Sequence, residues 1–202
     1  MANVNPMGKD LTTGQARPLK AADTLSDDVG TALGGATPGV SLPFHQFHAH
    51  SAVLDGANQA FLTNRGTHKV LAFDGNTAEY AYFYGVITPA FDESGGSLTA
   101  IIHWASNATS GNVKWNLEIE CLQSTTDTDI DSFAAARTTT TATNGTAGVL
   151  ATTTITFTVA QGDSPSGNLP FRLKLYRDAA DAADTLSGDC HFFRLTLAEL
   201  AP

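Results

Sequence analysis

Asn112-Val113-Lys114-Trp115-Asn116-Leu117-Glu118-Ile119-Glu120-Cys121 is the stretch that decides the fold. Val113, Trp115, Leu117, Ile119 and Cys121 fall on one face of an extended chain, and Lys114, Asn116, Glu118 and Glu120 on the other. Period-two alternation with one apolar and one polar face marks a half-buried antiparallel strand.

The same pattern recurs on both sides of it. Upstream, Tyr80, Tyr82, Tyr84 and Val86 share a face opposite Ala81, Phe83 and Gly85, and Leu98, Ala100, Ile102 and Trp104 alternate with Thr99, Ile101, His103 and Ala105. Downstream, Thr153, Ile155, Phe157 and Val159 oppose Thr152, Thr154, Thr156 and Thr158, and Phe171, Leu173 and Leu175 oppose Arg172, Lys174 and Tyr176. Phe193, Leu195 and Leu197 are expected on the core side of a last strand, with shorter strands at Gln59–Thr63 and His68–Phe73. Several connections exceed hairpin length: 85–96, 123–147 and 178–187. This favours crossings between two sheets over a meander. The expected fold is all-β, an antiparallel two-sheet sandwich of jelly-roll type, with an immunoglobulin-like sandwich as the alternative. Two short helices are expected, at Asp129–Arg137, where acids lead and a base follows, and within Asp178–Asp184.

Residues 1–50 read differently. Breakers recur every few positions, as in Asn5-Pro6-Met7-Gly8 and Gly34-Gly35-Ala36-Thr37-Pro38-Gly39, and the apolar residues are small or isolated. Alone, such a stretch buries too little to offset its ordering entropy. It is expected to be an extended N-terminal arm clasped by neighbouring chains, with residues 51–202 forming the sandwich. The threonine run Thr138-Thr139-Thr140-Thr141-Ala142-Thr143 is expected at a sheet edge, where a neighbour's strand can pair. Ala22-Asp23-Thr24-Leu25-Ser26 recurs as Ala183-Asp184-Thr185-Leu186-Ser187, but the flanks differ and no duplicated domain is inferred.

Composition narrows function. The 202 residues carry 11 basic and 20 acidic side chains, a net charge of −9, so a phosphate backbone is an unsuitable partner. No apolar run is long enough to span a membrane as a helix. More than a third of the chain is Ala, Thr or Gly and only 15% is charged, which suits surface meant to be covered. Met1–Pro18 lacks the apolar segment of a signal peptide, so synthesis in a cytoplasm is expected. Cys121 and Cys190, each within a strand, are expected as reduced core thiols, although a disulfide between two strands of one sandwich stays open.

His45, His48 and His50 have a spacing that can gather imidazoles around a metal, with a carboxylate or His68, His103 or His191 completing the set. The preferred reading is a surface or subunit contact, and no metal or cofactor is assigned. Asp178, Asp181, Asp184 and Asp189 suggest calcium but lack the ligand spacing of an EF-hand, and read as a solvated segment. Glu118 and Glu120, about 7 Å apart on one strand face, have the separation of a glycosidase pair without a cleft beside them. Trp104 and Trp115 lie on apolar faces and read as core. No nucleophile elbow or glycine-rich phosphate loop occurs. No catalytic residue is assigned, and the protein is expected not to be an enzyme.

Phe171-Arg172-Leu173-Lys174-Leu175-Tyr176-Arg177-Asp178, the bridge through Asp181, Asp184-Thr185 and Gly188-Asp189, and the strand from Cys190 together resemble the C-terminal signature of tailed-bacteriophage virion jelly-roll proteins. The strand Leu173–Tyr176 is less basic than that signature. The resemblance implies a non-enzymatic virion structural protein on the capsid exterior, made in the host cytoplasm. Its first form is a capsid decoration or cement protein bridging major-capsid subunits, as a homo-oligomer with a trimer favoured. The alternative is a fibre or tail module binding a carbohydrate or host receptor, for which Tyr80, Tyr82, Tyr84 or Tyr176 would line the groove. Neither form implies a nucleic-acid or membrane partner.

Overall fold

A computed structural model describes residues 44–200, apart from 55, 92 and 95. The arm expected over residues 1–50 therefore lies outside the described residues up to residue 43. Among the described residues ten strands form: β1 (Phe44–His48), β2 (Phe61–Arg65), β3 (His68–Phe73), β4 (Glu79–Val86), β5 (Ser97–Ser106), β6 (Asn112–Cys121), β7 (Arg137–Ala142), β8 (Ala151–Thr158), β9 (Pro170–Arg177) and β10 (Cys190–Leu200). All pairings between them are antiparallel.

One sheet runs β2-β3-β10-β5-β8, with β1 also on β10; the other runs β4-β9-β6-β7. Counted from β3 to β10 as eight strands, the first sheet takes the first, eighth, third and sixth, and the second takes the second, seventh, fourth and fifth. Successive strands mostly cross from sheet to sheet, which is the jelly roll. The chain is thus an all-β sandwich, as its alternation predicted.

Between the sheets lies one core in which Trp104, Trp115, Phe73, Phe83, Phe157, Phe171 and Phe192 are fully buried. Trp115 meets Phe73 edge-on at 5.1 Å and Trp104 at 6.3 Å, the geometry aromatic quadrupoles favour. Both tryptophans are core, as expected. Trp104 Nε1 donates to Thr153 Oγ1 at 2.9 Å, and Thr153 Oγ1 donates to Thr141 Oγ1 at 2.9 Å. Thr139 Oγ1 also reaches the Thr154 carbonyl at 3.2 Å. The threonine run is an edge strand, β7, but its side chains knit it to β8, the edge of the opposite sheet.

Three expectations need correction. Residues 44–50 belong to the sandwich: β1 pairs with β10 from Phe44↔Ala198 to His48↔Arg194, and Phe47 is buried, so the sandwich begins before residue 51. No helix forms at 129–137; the chain leaves a turn at Asp129, Ala134 N donates to the Ile119 carbonyl of β6 at 2.9 Å, and the segment leads into β7. Asp178–Asp184 is two successive turns, Asp181 N to Asp178 O and Asp184 N to Asp181 O, and not a helix.

A fourth correction concerns Phe193. The register on β5 passes from Phe192↔Trp104 to Arg194↔His103, so Phe193 is the extra residue of a β-bulge. The bulge resets the alternation. Cys190 and Phe192 face the core before it, Leu195 and Leu197 after it, and Phe193 is only half-buried. The same edge of β10 takes β3 over Cys190–Phe192 and β1 over Arg194–Ala198. The bulge sits where one neighbour gives way to the other.

Candidate functional site

The acidic bridge resolves as a lock. Arg177 is fully buried and spends its whole guanidinium inside the protein: Nε and Nη2 donate to the two Asp184 carboxylate oxygens at 3.0 and 2.8 Å, Nη2 to Leu186 O at 2.8 Å, and Nη1 to Gly188 O at 2.7 Å and Phe73 O at 3.4 Å. Asp184 Oδ2 also accepts from Lys114 N at 3.0 Å, and Thr185 Oγ1 from Asn112 N at 3.0 Å. Lys114 Nζ pairs with Asp181 and, at 3.5 Å, with Asp178. That bond and the Ala183 N–H hold the Asp181 carboxyl below its usual range. A Cβ on Gly75 would lie 2.7 Å from the Gly188 carbonyl oxygen, so glycine is needed where the bridge passes that turn. The segment that resembles the phage signature is thus a packing device. Three of its acids, Asp178, Asp181 and Asp184, are each paired with a base.

The outer face of the four-stranded sheet gathers the tyrosines. Cross-strand register gives three rows: Tyr80–Tyr176–Asn116–Thr138, Tyr82–Lys174–Glu118 and Tyr84–Arg172–Glu120. Phe133, from the segment before β7, joins them by stacking on Tyr82 at 6.2 Å. Lys174 Nζ sits 5.8, 5.8 and 5.4 Å from the ring centroids of Tyr80, Phe133 and Tyr176, and the Arg172 guanidinium 4.5 Å from that of Phe133. Burial, then the nearby Glu118 and Asp178, pushes the Tyr176 phenol up to about 12. Tyr84 stands 53% exposed at the end of the row.

Glu118 and Glu120 are neutralised in place. Glu118 pairs with Lys174 at 3.2 Å. Glu120 is buried, pairs with Arg172, and accepts from Ser132 N at 2.7 Å and Ser132 Oγ at 2.6 Å. Burial alone would raise its pKa, but Arg172 and Ser132 outweigh burial and hold it below the ordinary glutamate value. Neither carboxylate is poised as an acid or a free nucleophile. Cys121 and Cys190 are buried and unpaired. Burial pushes the Cys121 thiol up to about 12 and raises that of Cys190. Such thiols are not reactive nucleophiles.

The histidine trio separates. His45 turns toward Glu199 with Nε2 2.8 Å from Oε1 and packs edge-on to Phe171 at 5.4 Å. Glu199 is buried and also accepts from Thr88 N at 3.0 Å and from Thr88 Oγ1. His48 and His50 stay together, their rings near-parallel with centroids 5.4 Å apart, and line a cavity of about 350 Å³ with Ala49, His68, Lys69, His103, Leu150, Phe193 and Arg194. Among the described residues no group of His, Cys, Asp and Glu is placed to hold a metal ion. The sequence pattern singles out neither Lys69 nor Arg194, and it places Phe193 in the core. The doubled aromatic Phe192-Phe193 interrupts strict alternation and was the signal available for them.

No protein-family model matches this chain, and no curated protein is similar to it at sequence level. Solved structures similar to it include the C-terminal CBM6 of LamC, a marine laminarinase from Zobellia galactanivorans, at 15% identity over 77% of this chain and 99% of that one, with a TM-score of 0.42. The CBM35 from Cellvibrio japonicus Abf62 matches at 14% identity over 76% of this chain and 92% of that one, with a TM-score of 0.46. The infectious bursal disease virus Gt strain structure matches at 8% identity over 80% of this chain and 32% of that one, with a TM-score of 0.41. These likenesses are ones of β-sandwich architecture.

Proposed function

We propose that the chain is a non-catalytic binding module of a virion, a fibre or tail component that takes a carbohydrate on the outer face of its four-stranded sheet. The observation that carries this reading is the fan of Tyr80, Tyr82, Phe133 and Tyr176 around Lys174, with Tyr84 exposed at its end. A sugar ring has an apolar C–H face and a rim of hydroxyls. Aromatic rings set among Lys174, Glu118 and Arg172 offer a matching apolar surface with polar groups beside it. Both glutamates that would serve hydrolysis are held by cations, which supports binding without turnover.

The test is a glycan array probed with the full chain, followed by calorimetry on any ligand found. Tyr84→Ala and Tyr82→Ala are expected to weaken binding about tenfold each, the order of one lost stacking surface. No bound glycan, or unchanged affinity in both variants, rejects the reading.

One observation favours a second reading, capsid cement acting as a homo-oligomer on major-capsid subunits. β1, the end of the segment read as an arm, has no strand partner beyond β10 among the described residues, and Phe44 on it is 54% exposed. On the edge strand β2, Phe61 is 69% exposed. Apolar edges of this kind are ordinarily covered. Deleting residues 1–40 separates the readings: cement loses its capsid association with the sandwich still folded, whereas a glycan module keeps its ligand.

A further inference from the structure

We infer that the cavity on the outer face of the six-stranded sheet binds a compact oxyanion, the carboxylate, sulfate or phosphate of a ligand about the size of one sugar ring. Its floor is fixed by strand register. His48 on β1 lies opposite Arg194 on β10, and Arg194 lies opposite His103 on β5, so three nitrogen-bearing side chains form one row across three strands. The bulge at Phe193 turns Phe193 and Arg194 toward this side together. His50 stacks on His48 from the 3-10 turn Ala49–Ser51, and His68, at the start of β3, meets Phe193 edge-on at 6.0 Å. Lys69 completes the wall.

The chemistry of the lining is one-sided. Two permanent cations and four imidazoles face the space, with Phe193, Leu150 and Ala49 supplying the apolar part, and no carboxylate lines it. Neither Lys69 nor Arg194 makes an ion pair among the described residues, although the chain as a whole carries a net charge of −9. Cations gathered without acids disfavour a metal ion and favour an anion, and charge-assisted hydrogen bonds from such donors are the strong ones. At about 350 Å³ the cavity is at the small end of ligand sites, which run from about 300 to 1,000 Å³. That is room for a ring and its charged substituent.

The titratable and charged groups facing the space are His48 and His50 from β1 and its turn, His68 and Lys69 from β3, His103 from β5 and Arg194 from β10. Histidine is the side chain that gains charge between pH 8 and 5. Affinity for an anion therefore rises as pH falls. Burial and the neighbouring Arg194 hold His103 below the ordinary histidine value.

The experiment titrates the full chain by calorimetry with glucuronate, inorganic sulfate, inorganic phosphate and neutral glucose, at about pH 8 and about pH 5.5. Glucuronate is expected to bind, glucose not, with affinity about tenfold higher at the lower pH. Sulfate or phosphate binding as well as glucuronate assigns recognition to the oxyanion, whereas glucuronate binding alone assigns it to ring and carboxylate together; both support the site. Arg194→Gln, at an exposed side chain, is expected to lose about tenfold in affinity with the fold intact, and Lys69→Gln to lose less. Inorganic sulfate has no ring to stack on the tyrosine face, so its binding reports on the cavity alone, and failure here and failure of the glycan face are separable. Equal binding of glucose and glucuronate, affinity independent of pH, or full affinity in Arg194→Gln overturns the inference.

Discussion

The Asp178–Asp189 bridge and the His48–Arg194 cavity both collect ionisable side chains at short spacing, and they end in opposite states. In the bridge Asp184 meets Arg177, Asp181 and Asp178 meet Lys114, and the spare donors of Arg177 are taken up by backbone carbonyls. In the cavity Lys69 and Arg194 face open space with imidazoles around them and no acid. In the first arrangement Asp178, Asp181 and Asp184 each have a base beside them. The second is unbalanced where solvent can enter, which is the condition for binding something of opposite sign. Residue type and spacing alone would have ranked the two sites equally. What separates them is whether the folded chain supplies the counter-charge.

The sharpest way to break that contrast is to remove a base from each. Arg177→Met leaves Asp184 buried without its partner and three carbonyls without donors. Breaking such a pair typically costs about 3–5 kcal/mol, so urea unfolding should show a loss of that order. Arg194→Gln and Lys69→Gln, at side chains without ion pairs, should stay within about 0.5 kcal/mol of the parent. A loss below about 1 kcal/mol for Arg177→Met would mean that the lock contributes little and that the contrast is one of appearance only.

Much of this was legible in the sequence, and the failures share a cause. β4, β5, β6, β8 and β9 follow directly from period-two alternation, because one face of each packs into a single core. β1 was assigned to the arm because Phe44-His45-Gln46-Phe47-His48 carries no apolar alternation beyond two phenylalanines; its pairing comes from β10, some 150 residues away. Phe193 was placed in the core because a bulge is set by a change of neighbours along β10 and leaves no fixed local motif. The acidic bridge was read as solvated because its counter-charges arrive from β6 and β9. In each case the deciding partner is distant in sequence. The cavity is the extreme example, since β1, β3, β5 and β10 all contribute to it.

A smaller effect separates two histidines that neighbour this region. His191 is held below the ordinary histidine value by burial and then by Arg65. Arg65 Nη1 lies 2.8 Å from His191 Nδ1 and can only donate, so Nδ1 must be unprotonated. The unfolded chain therefore takes up this proton first as pH falls. Stability is complete above the ordinary value of 6.5 and declines as pH falls below it toward the folded pKa. His103 acts in the same direction. Both groups are partly exposed, so the decline between about pH 7.5 and 5.5 should be under about 1 kcal/mol each. Urea midpoints across that range check it, and His191→Gln should flatten the profile. Sulfate should offset part of the decline by occupying the cavity, but it should do so no longer in Arg194→Gln.

The smallest effect sharpens the comparison within one strand. Glu118 and Glu120 are identical residues on one face of β6, and each sits opposite a cation of β9. Glu120 is buried and has Ser132 and Arg172 as donors, so it is part of the fold. Glu118 has Lys174 at 3.2 Å, with the lysine 26% exposed. The pair is partly shielded, with the glutamate 16% exposed, so Glu118→Gln should cost about 1 kcal/mol, read as a slight shift of the urea midpoint. Its larger consequence falls on the aromatic face. Lys174 loses its carboxylate partner there and keeps only the rings of Tyr80, Phe133 and Tyr176. If the face takes a sugar, Glu118→Gln should change its affinity more than its stability. A loss of stability with unchanged affinity would instead make Glu118 a partner for Lys174 alone.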